Sequence, residues 1–206
     1  MSSWKGAGRP ARGLVAAADA EGATRLRAIL DQAFPGIEPH VAQTPDQAWR
    51  VFTDAQPGVA LIGTSLADCG GTIAQMAERV PRLCIVVYAR HIADDGIFPA
   101  LRAGACGYLL QHEAVSTLAS ELRAIQRGGR PLSPGMARML LRYFTAISPR
   151  EALDADEYRV LEGIASGATV HSLTSRLGQA VSDRIRRIYE KLARSGRDPA
   201  PNGDGP

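Results

Sequence analysis

The stretch Ala100-Leu101-Arg102-Ala103-Gly104-Ala105-Cys106-Gly107-Tyr108-Leu109-Leu110-Gln111 decides the fold of this sequence. Its pattern is that of the end of an amphipathic helix, a glycine turn at Gly104 and a short apolar strand from Cys106 to Leu110. Glycine is favoured at such a switch because it adopts left-handed backbone conformations at little cost. A second apolar run, Leu83 to Ala89, lies upstream. The two runs therefore predict a strand–helix–strand unit with parallel strands.

The same alternation extends over residues 13–130. Short apolar runs at Leu14 to Ala18, Ile37 to Gln43 and Val59 to Ile62 alternate with segments of helical periodicity. Strands that are nearly continuous apolar runs need covering on both faces, which crossover helices provide. We therefore expect an α/β fold of the flavodoxin-like type, an open, doubly wound, parallel five-stranded sheet. Its functional site should lie at the carboxyl ends of the strands.

After Ile147 the pattern changes to helices only. A capping box at Asp154 to Glu157 starts the first of these helices. From Leu173 to Leu192 the apolar residues keep an unbroken helical spacing, so one long helix and two helices joined by a turn both remain open. The domain prediction is a flexible tail over 1–12, an α/β domain over 13–130, a linker helix over 131–150, a small all-helical domain over 151–195 and a disordered tail over 196–206.

Charge is distributed unevenly along the chain. The net charge is +3, but residues 168–197 carry seven Lys and Arg against only Asp183 and Glu190. This imbalance indicates an acidic partner, nucleic acid first, although a solvated basic helix has the same composition. The sequence lacks a membrane-spanning apolar run and a signal peptide, so we expect a cytoplasmic protein. The three cysteines have no metal-ligand spacing and are expected to be free thiols, with Cys69 the exposed one.

Several segments resemble one known family. The stretch at 100–111 and the Gly-Gly-Arg-Pro-Leu-Ser-Pro run at 128–134 resemble the receiver domain of two-component response regulators of the LuxR-type (NarL/FixJ) subfamily. Residues 153–167, Arg176-Leu177-Gly178 and Ile188-Tyr189-Glu190-Lys191-Leu192 are similar to the helix-turn-helix of the same subfamily. The resemblance implies a receiver that accepts a phosphoryl group on an aspartate with the help of magnesium, joined to a DNA-binding domain.

The residues that the family uses for phosphorylation are all replaced. The resemblance assigns the acidic pair, the nucleophile, the hydroxyl residue and the lysine, in that order, to Ala17 and Ala18, Gly63, Tyr88, and Gln111. Alanine and glycine neither bind a metal nor accept a phosphoryl group, so we expect a pseudo-receiver. Asp19 and Asp68 lie close by in sequence, and a role as a helix cap or as a loop carboxylate in contact with solvent explains each of them better than phosphoryl acceptance does. Tyr88 and Tyr108 are expected to fill the space that a switching receiver leaves open.

The last helix has a basic stripe beside its apolar stripe, as a helix in the major groove requires. The turn before it is shorter than in the family, and we expect no fourth helix. Two functions follow: a phosphorylation-independent transcriptional regulator that dimerises through the pseudo-receiver, or a regulatory protein-interaction module that does not bind DNA. In neither case do we expect an enzyme, a metal or a cofactor. The predicted DNA-binding residues are Ser182, Arg184, Arg186, Arg187 and Lys191.

Overall fold

The computed structural model describes residues 10–146, 153–177 and 180–195. Within them, five strands alternate with helices in the first part of the chain, and helices alone follow. The predicted tails and the junction at 147–152 lie outside the described residues, except for Pro10 to Arg12. The strands are β1 (Arg12–Ala16), β2 (Glu38–Ala42), β3 (Val59–Gly63), β4 (Cys84–Ala89) and β5 (Gly107–Leu110).

The helices begin and end close to where the apolar periodicity and the capping residues place them. Thr44 caps α2 and is followed by Pro45 at the first helical position, residue types that are favoured at these places. The helices are α1 (Ala20–Ala33), α2 (Pro45–Ala55), α3 (Cys69–Arg79), α4 (Ile97–Ala103), α5 (Val115–Gln126), α6 (Pro134–Ala146), α7 (Ala155–Ala165), α8 (Val170–Leu177) and α9 (Ala180–Ser195).

The sheet confirms the predicted fold class. Its strand order is β2-β1-β3-β4-β5, and every neighbouring pair is parallel. The carboxyl ends of all strands therefore meet at one edge, and the strand order reverses between β1 and β3. Loops that leave adjacent strands in opposite directions open a crevice at such a point, which is where ligands and reaction sites lie in sheets of this kind.

The two faces of the sheet are covered by different helices. Leu26 and Ile29 of α1 and Leu118 and Leu122 of α5 pack on one face. Helices α2, α3 and α4 pack on the other. Strands β3 and β4 are buried along their whole length, which explains why their sequences are continuous apolar runs rather than alternating ones.

The predicted glycine turn lies between α4 and β5. Gly104 ends α4 with a φ of 116°, a left-handed conformation. A Cβ atom at this position would lie 2.8 Å from the Cβ of Ala77 in α3. Gly104 therefore permits both the turn and the close packing of α3 against α4.

Helix α6, predicted as a linker, contributes to the core. Met136, Leu140 and Phe144 are buried in the same apolar cluster as Leu101 of α4 and Leu192 of α9. The helical segment is thus packed against the α4 side of the sheet domain through a continuous core.

Residues 172–195 contain two described helical segments. Helix α8 ends at Leu177 and α9 begins at Ala180, while residues 178–179 lie outside the described residues. Leu173 of α8 packs against α7, where a Cβ atom on Gly163 would lie 2.9 Å from its side chain.

The expectation that Cys69 is the exposed cysteine is wrong. Cys69 is buried at the start of α3, beneath the loop that follows β3. The cysteine residue with partial exposure is Cys106, just before β5. A hydrogen bond with the thiol of Cys84, together with the nearby charge of Arg130, lowers the pKa of Cys106 below its ordinary value of 9.0.

Candidate functional site

The positions that would carry phosphorylation chemistry lie along the carboxyl edge of the sheet. Ala17 and Ala18 follow β1, Gly63 ends β3, and Gln111 follows β5. A Cβ atom on Gly63 would lie 3.5 Å from the Cβ of Ala17, so the places assigned to the nucleophile and to the acidic pair are adjacent. No carboxylate stands at either place, and the residues present do not fit a magnesium ion.

Two hydroxyl–carboxylate hydrogen bonds join the loops around Gly63. Thr64, the next residue, donates its hydroxyl to Asp94 Oδ2 over 2.8 Å. Ser65 donates to Asp19 Oδ2 over 3.3 Å. The loop after β3 is thereby tied to the loops after β4 and β1.

Arg25 closes the site from the α1 side. Its guanidinium donates to the backbone carbonyl of Gln111 over 2.9 Å and to that of Glu113 over 2.5 Å. Both acceptors lie in the loop after β5. The cation that contacts this loop therefore belongs to α1 and is not a lysine at the end of the strand.

The two tyrosine rings are buried, as expected. Tyr88 packs on the α1 and α5 side with Ala17, and its hydroxyl oxygen is buried near Arg25. Burial raises the pKa of Tyr88 above its ordinary value of 10.0. Tyr108 packs on the opposite face. Its hydroxyl donates to Ser133 Oγ over 3.0 Å and accepts the backbone N–H of Ser133 over 3.2 Å.

Asp19 and Asp68 are both helix caps. Asp19 Oδ1 accepts the backbone N–H of Gly22 over 2.6 Å at the start of α1. Asp68 accepts that of Gly71 over 3.1 Å at the start of α3, with a left-handed φ of 45°. In the part of the chain described by the structure, no three His, Cys, Asp or Glu side chains are grouped so as to hold a metal ion. The helix-cap interpretation is therefore sufficient for both residues.

Helix α9 has one buried face and one open face. Val181, Ile185, Ile188 and Leu192 are buried against the other helices. With 3.6 residues per turn, the side opposite these residues carries Asp183, Arg186, Arg187, Glu190 and Arg194.

Three of the five predicted DNA-binding residues lie within ion-pair distance of α7, and two of these, Arg184 and Lys191, are less than a third exposed. Arg184, whose side chain is 17% exposed, forms a 2.7 Å ion pair with Asp156. Lys191 donates over 2.6 Å to Glu157, whose side chain is only 1% exposed. Both cations thus fix the position of α9 within the helical unit.

The other three predicted residues are more accessible, although one of them, Arg187, also lies 3.9 Å from Glu157 of α7. Ser182 is exposed, and the side chains of Arg186 and Arg187 are 41% and 51% exposed. Arg186 forms ion pairs with Asp183 over 3.0 Å and with Glu190 over 3.9 Å. The outer face of α9 is therefore basic but partly neutralised by its own acids.

The capping box predicted at the start of α7 is present. Asp154 accepts the backbone N–H groups of Asp156 and Glu157, and Glu157 accepts that of Asp154 over 2.9 Å. The backbone N–H of Glu157, followed by that of Asp156, holds the pKa of Asp154 below its ordinary value of 3.8.

Several residues that shape these sites could not be identified from sequence patterns. Thr64 and Asp94 are 30 positions apart, and Arg25 and Gln111 are 86 apart. Pairings over such distances produce no periodic or local motif. Glu157 was predicted as part of a capping box, but its buried contact with Lys191 depends on the packing of α9 against α7.

Comparison with solved structures supports this architecture. The chain superposes on the two-component response regulator RcsB in its complex with DNA with a TM-score of 0.54, at 18% identity, over 88% of this chain and 91% of that one. For the response regulator ChrA of a heme-sensing two-component system, the TM-score is 0.50 at 23% identity, over 90% and 94% of the two chains. These likenesses show the fold.

Sequence comparison shows the family. No family model matches the chain. The transcriptional regulatory protein LiaR of Bacillus subtilis is 28% identical over 160 residues, which cover 73% of this chain and 76% of LiaR. The nitrate/nitrite response regulator protein homolog of Haemophilus influenzae is 30% identical over 147 residues, which cover 69% of this chain and 71% of the relative. Together with the receiver-like sheet and the helical segment that follows it, this similarity shows that the chain belongs to the response regulator family.

Proposed function

We propose that this protein is a transcriptional regulator that binds DNA through α9 and does not depend on phosphorylation. The observation that carries the DNA-binding part is the pair Arg186 and Arg187, about half exposed, on the side of α9 opposite its buried stripe. A helix that enters the major groove must be packed on one side and present cations on the other.

The contacts between α7 and α9 support this orientation. Glu157 is buried and holds Lys191, while Asp156 holds Arg184. These pairs keep α9 from rotating about its axis, so that Ser182, Arg186 and Arg187 stay on the open side. We infer that Arg184 and Lys191 are positioning residues and that the exposed residues contact DNA.

The closed carboxyl edge of the sheet supports independence from phosphorylation. Gly63 offers no nucleophile, and the loop after it is tied to Asp94 and Asp19 through Thr64 and Ser65. Arg25 holds the loop after β5. A phosphoryl group would have neither an acceptor nor a metal-binding pair at this edge.

Assembly and location follow from the proposed role. We propose a homodimer formed through the pseudo-receiver, because a protein with two-fold symmetry matches a DNA site that consists of two half-sites. A protein that binds genomic DNA must lie in the same compartment as that DNA, which agrees with the cytoplasmic location expected from the sequence. No helix among the described residues is both long and apolar enough to span a bilayer.

The second candidate is a protein-interaction module that does not bind DNA. It is favoured by Asp183 and Glu190, which share the outer face of α9 with the arginines and repel phosphates. Under this alternative, the outer face of α9 would contact a protein partner of mixed charge.

The test is DNA binding by the full chain against a pool of genomic fragments, followed by sequencing of the bound fraction. We expect enrichment of a shared sequence. Replacing both Arg186 and Arg187 with alanine should abolish enrichment and make the slope of log affinity against log salt shallower by about 2, one for each lost phosphate contact. The exposed Arg50 of α2, replaced with alanine, is the matched control and should bind like the parent chain.

Weak binding without sequence enrichment, or identical enrichment by the double variant, would contradict the proposal. The first result would favour the protein-interaction module. Circular dichroism of each variant shows whether a loss of binding reflects unfolding rather than a lost contact.

A further inference from the structure

We propose that α9 binds DNA while it remains docked on the sheet domain, without separation of the two units. This inference rests on the function proposed above and concerns how access to the DNA-binding face is controlled. It depends on which side of α9 the sheet domain touches.

The sheet domain and the segment that leaves it contact α9 away from its outer face. Tyr189, buried beside the apolar stripe, donates its hydroxyl to the backbone carbonyl of Pro131. Arg102 of α4 donates over 3.1 Å to the backbone carbonyl of Ser195. The docking contacts therefore involve the packed side of α9 and its last residue.

The contact at Ser195 involves three elements. Tyr143 of α6 donates to Ser195 Oγ over 2.7 Å. The ring of Tyr143 lies 4.9 Å from that of Phe98 in α4, and the guanidinium of Arg102 lies 5.4 Å from its centroid. A cation beside the final carbonyls of a helix is also favoured by the helix dipole. Helix α9 is thus held at its carboxyl-terminal end by α4 and α6.

The outer face of α9 stays open in this docked arrangement. Arg187 and Asp183 have side chains that are 51% and 63% exposed, and Arg194 is exposed as well. These residues lie on the opposite side of the helix from Tyr189 and Leu192. The sheet domain therefore contacts α9 on its packed side and leaves its outer face accessible.

The continuous core indicates that the two units are docked in the stable state of the protein. Ile97 and Leu101 of α4 belong to the same buried cluster as Leu140 of α6 and Ile188 and Leu192 of α9. Separation would expose these side chains to water, which the hydrophobic effect opposes. Because the phosphorylation positions of this chain are replaced, phosphorylation is not available to separate the two units. A DNA-binding mode that needs no separation does not require that signal.

The test joins the two units covalently in the full chain. Arg102→Cys and Ser195→Cys, in a Cys106→Ser background, are crosslinked with a short bismaleimide, and completeness is verified by intact mass. Affinity for an enriched genomic fragment is then compared for the crosslinked and uncrosslinked forms. The parent chain with Cys106→Ser alone, treated with the same reagent, is the control for modification.

We expect the crosslinked form to bind DNA with the affinity of the uncrosslinked form. Binding by the uncrosslinked form alone would overturn this inference and leave the proposed function standing. Absence of binding by both forms and by the control would overturn the proposed function and this inference with it. As a second measurement, Arg102→Ala weakens docking and should not raise DNA affinity; a several-fold rise would show that docking restrains α9.

Discussion

Glu157 is the residue on which the arrangement of the helical unit depends most. Its carboxylate is buried, accepts Lys191 over 2.6 Å, and lies 3.9 Å from Arg187. Its other contact, with the backbone N–H of Asp154, belongs to the capping box. One side chain therefore fixes both the start of α7 and the position of α9.

Removing the cation that faces Glu157 should destabilise the protein. Breaking a buried ion pair costs about 3–5 kcal/mol because the remaining charge is left unpaired. Lys191 is 29% exposed and Arg187 stays 3.9 Å from Glu157, so water and Arg187 compensate in part. We therefore expect Lys191→Met to lower the free energy of unfolding by about 2 kcal/mol. Urea denaturation measures the change. The exposed Arg194→Met is the control, expected within about 0.5 kcal/mol of the parent; equal stability of both variants would contradict the role assigned to Glu157.

The Asp154 cap gives a pH-dependent prediction. Asp154→Ala should lower the free energy of unfolding by about 1 kcal/mol at pH 7, the usual effect of losing a helix cap. The pKa of Asp154 is lower in the folded protein than its ordinary value of 3.8. The stabilisation is therefore fully present above that value and disappears as the pH falls through the folded pKa.

Denaturation curves of parent and Asp154→Ala should accordingly converge as the pH falls below about 3.8, the ordinary pKa. Asp154→Asn keeps a hydrogen-bond acceptor but carries no charge, so its stability relative to Asp154→Ala should not depend on this titration. A stability difference between parent and Asp154→Ala that is constant from pH 7 to the lowest pH reached would count against the assigned role.

At the scale of elements, the turn from α4 to β5 depends on one glycine. Gly104→Ala places a side chain in a left-handed conformation and within 2.8 Å of Ala77. We expect a loss of about 1–3 kcal/mol in unfolding free energy, the range for a strained backbone position. Thermal or urea unfolding measures the change.

Gly70 is the matched control for this substitution. It lies in α3, and a Cβ atom there would be 3.9 Å from the nearest neighbour, Pro99. Because alanine is the better helix former, by up to about 1 kcal/mol, Gly70→Ala should be neutral or stabilising. If both glycine variants lost stability equally, the account of the Gly104 turn would be wrong.

Individual elements were largely predictable, and their partners were not. Apolar runs such as Val59 to Ile62 and caps such as Thr44 and Asp154 carry local signals of strands and helix starts, and the structure has them there. Cys69 was expected to be exposed because its segment resembles a loop, yet it starts α3 and is buried. Burial depends on which elements pack together, and a local pattern does not contain that information.

At the scale of the whole molecule, the position of α9 relative to α7 was not predicted from the sequence. The basic stripe in the sequence was correctly placed on one helix, but Arg184 and Lys191 contact α7 instead of facing outward. Helix α6, which was expected to link two domains, also shares a core with both. These differences arise because docking of the helical unit on α4 depends on tertiary packing, which a local sequence pattern does not determine.

The measurement that tests the central claim most directly combines phosphorylation with DNA binding. The full chain is incubated with acetyl phosphate and magnesium, analysed by intact mass, and titrated with an enriched DNA fragment. A receiver domain that carries the aspartate serves as the positive control for the reagent. We predict no phosphoryl adduct and the same dissociation constant with and without the reagent. A phosphoryl adduct on Asp19 or Asp68 together with a change in affinity of the size typical of allosteric coupling, about 5- to 150-fold, would contradict the account.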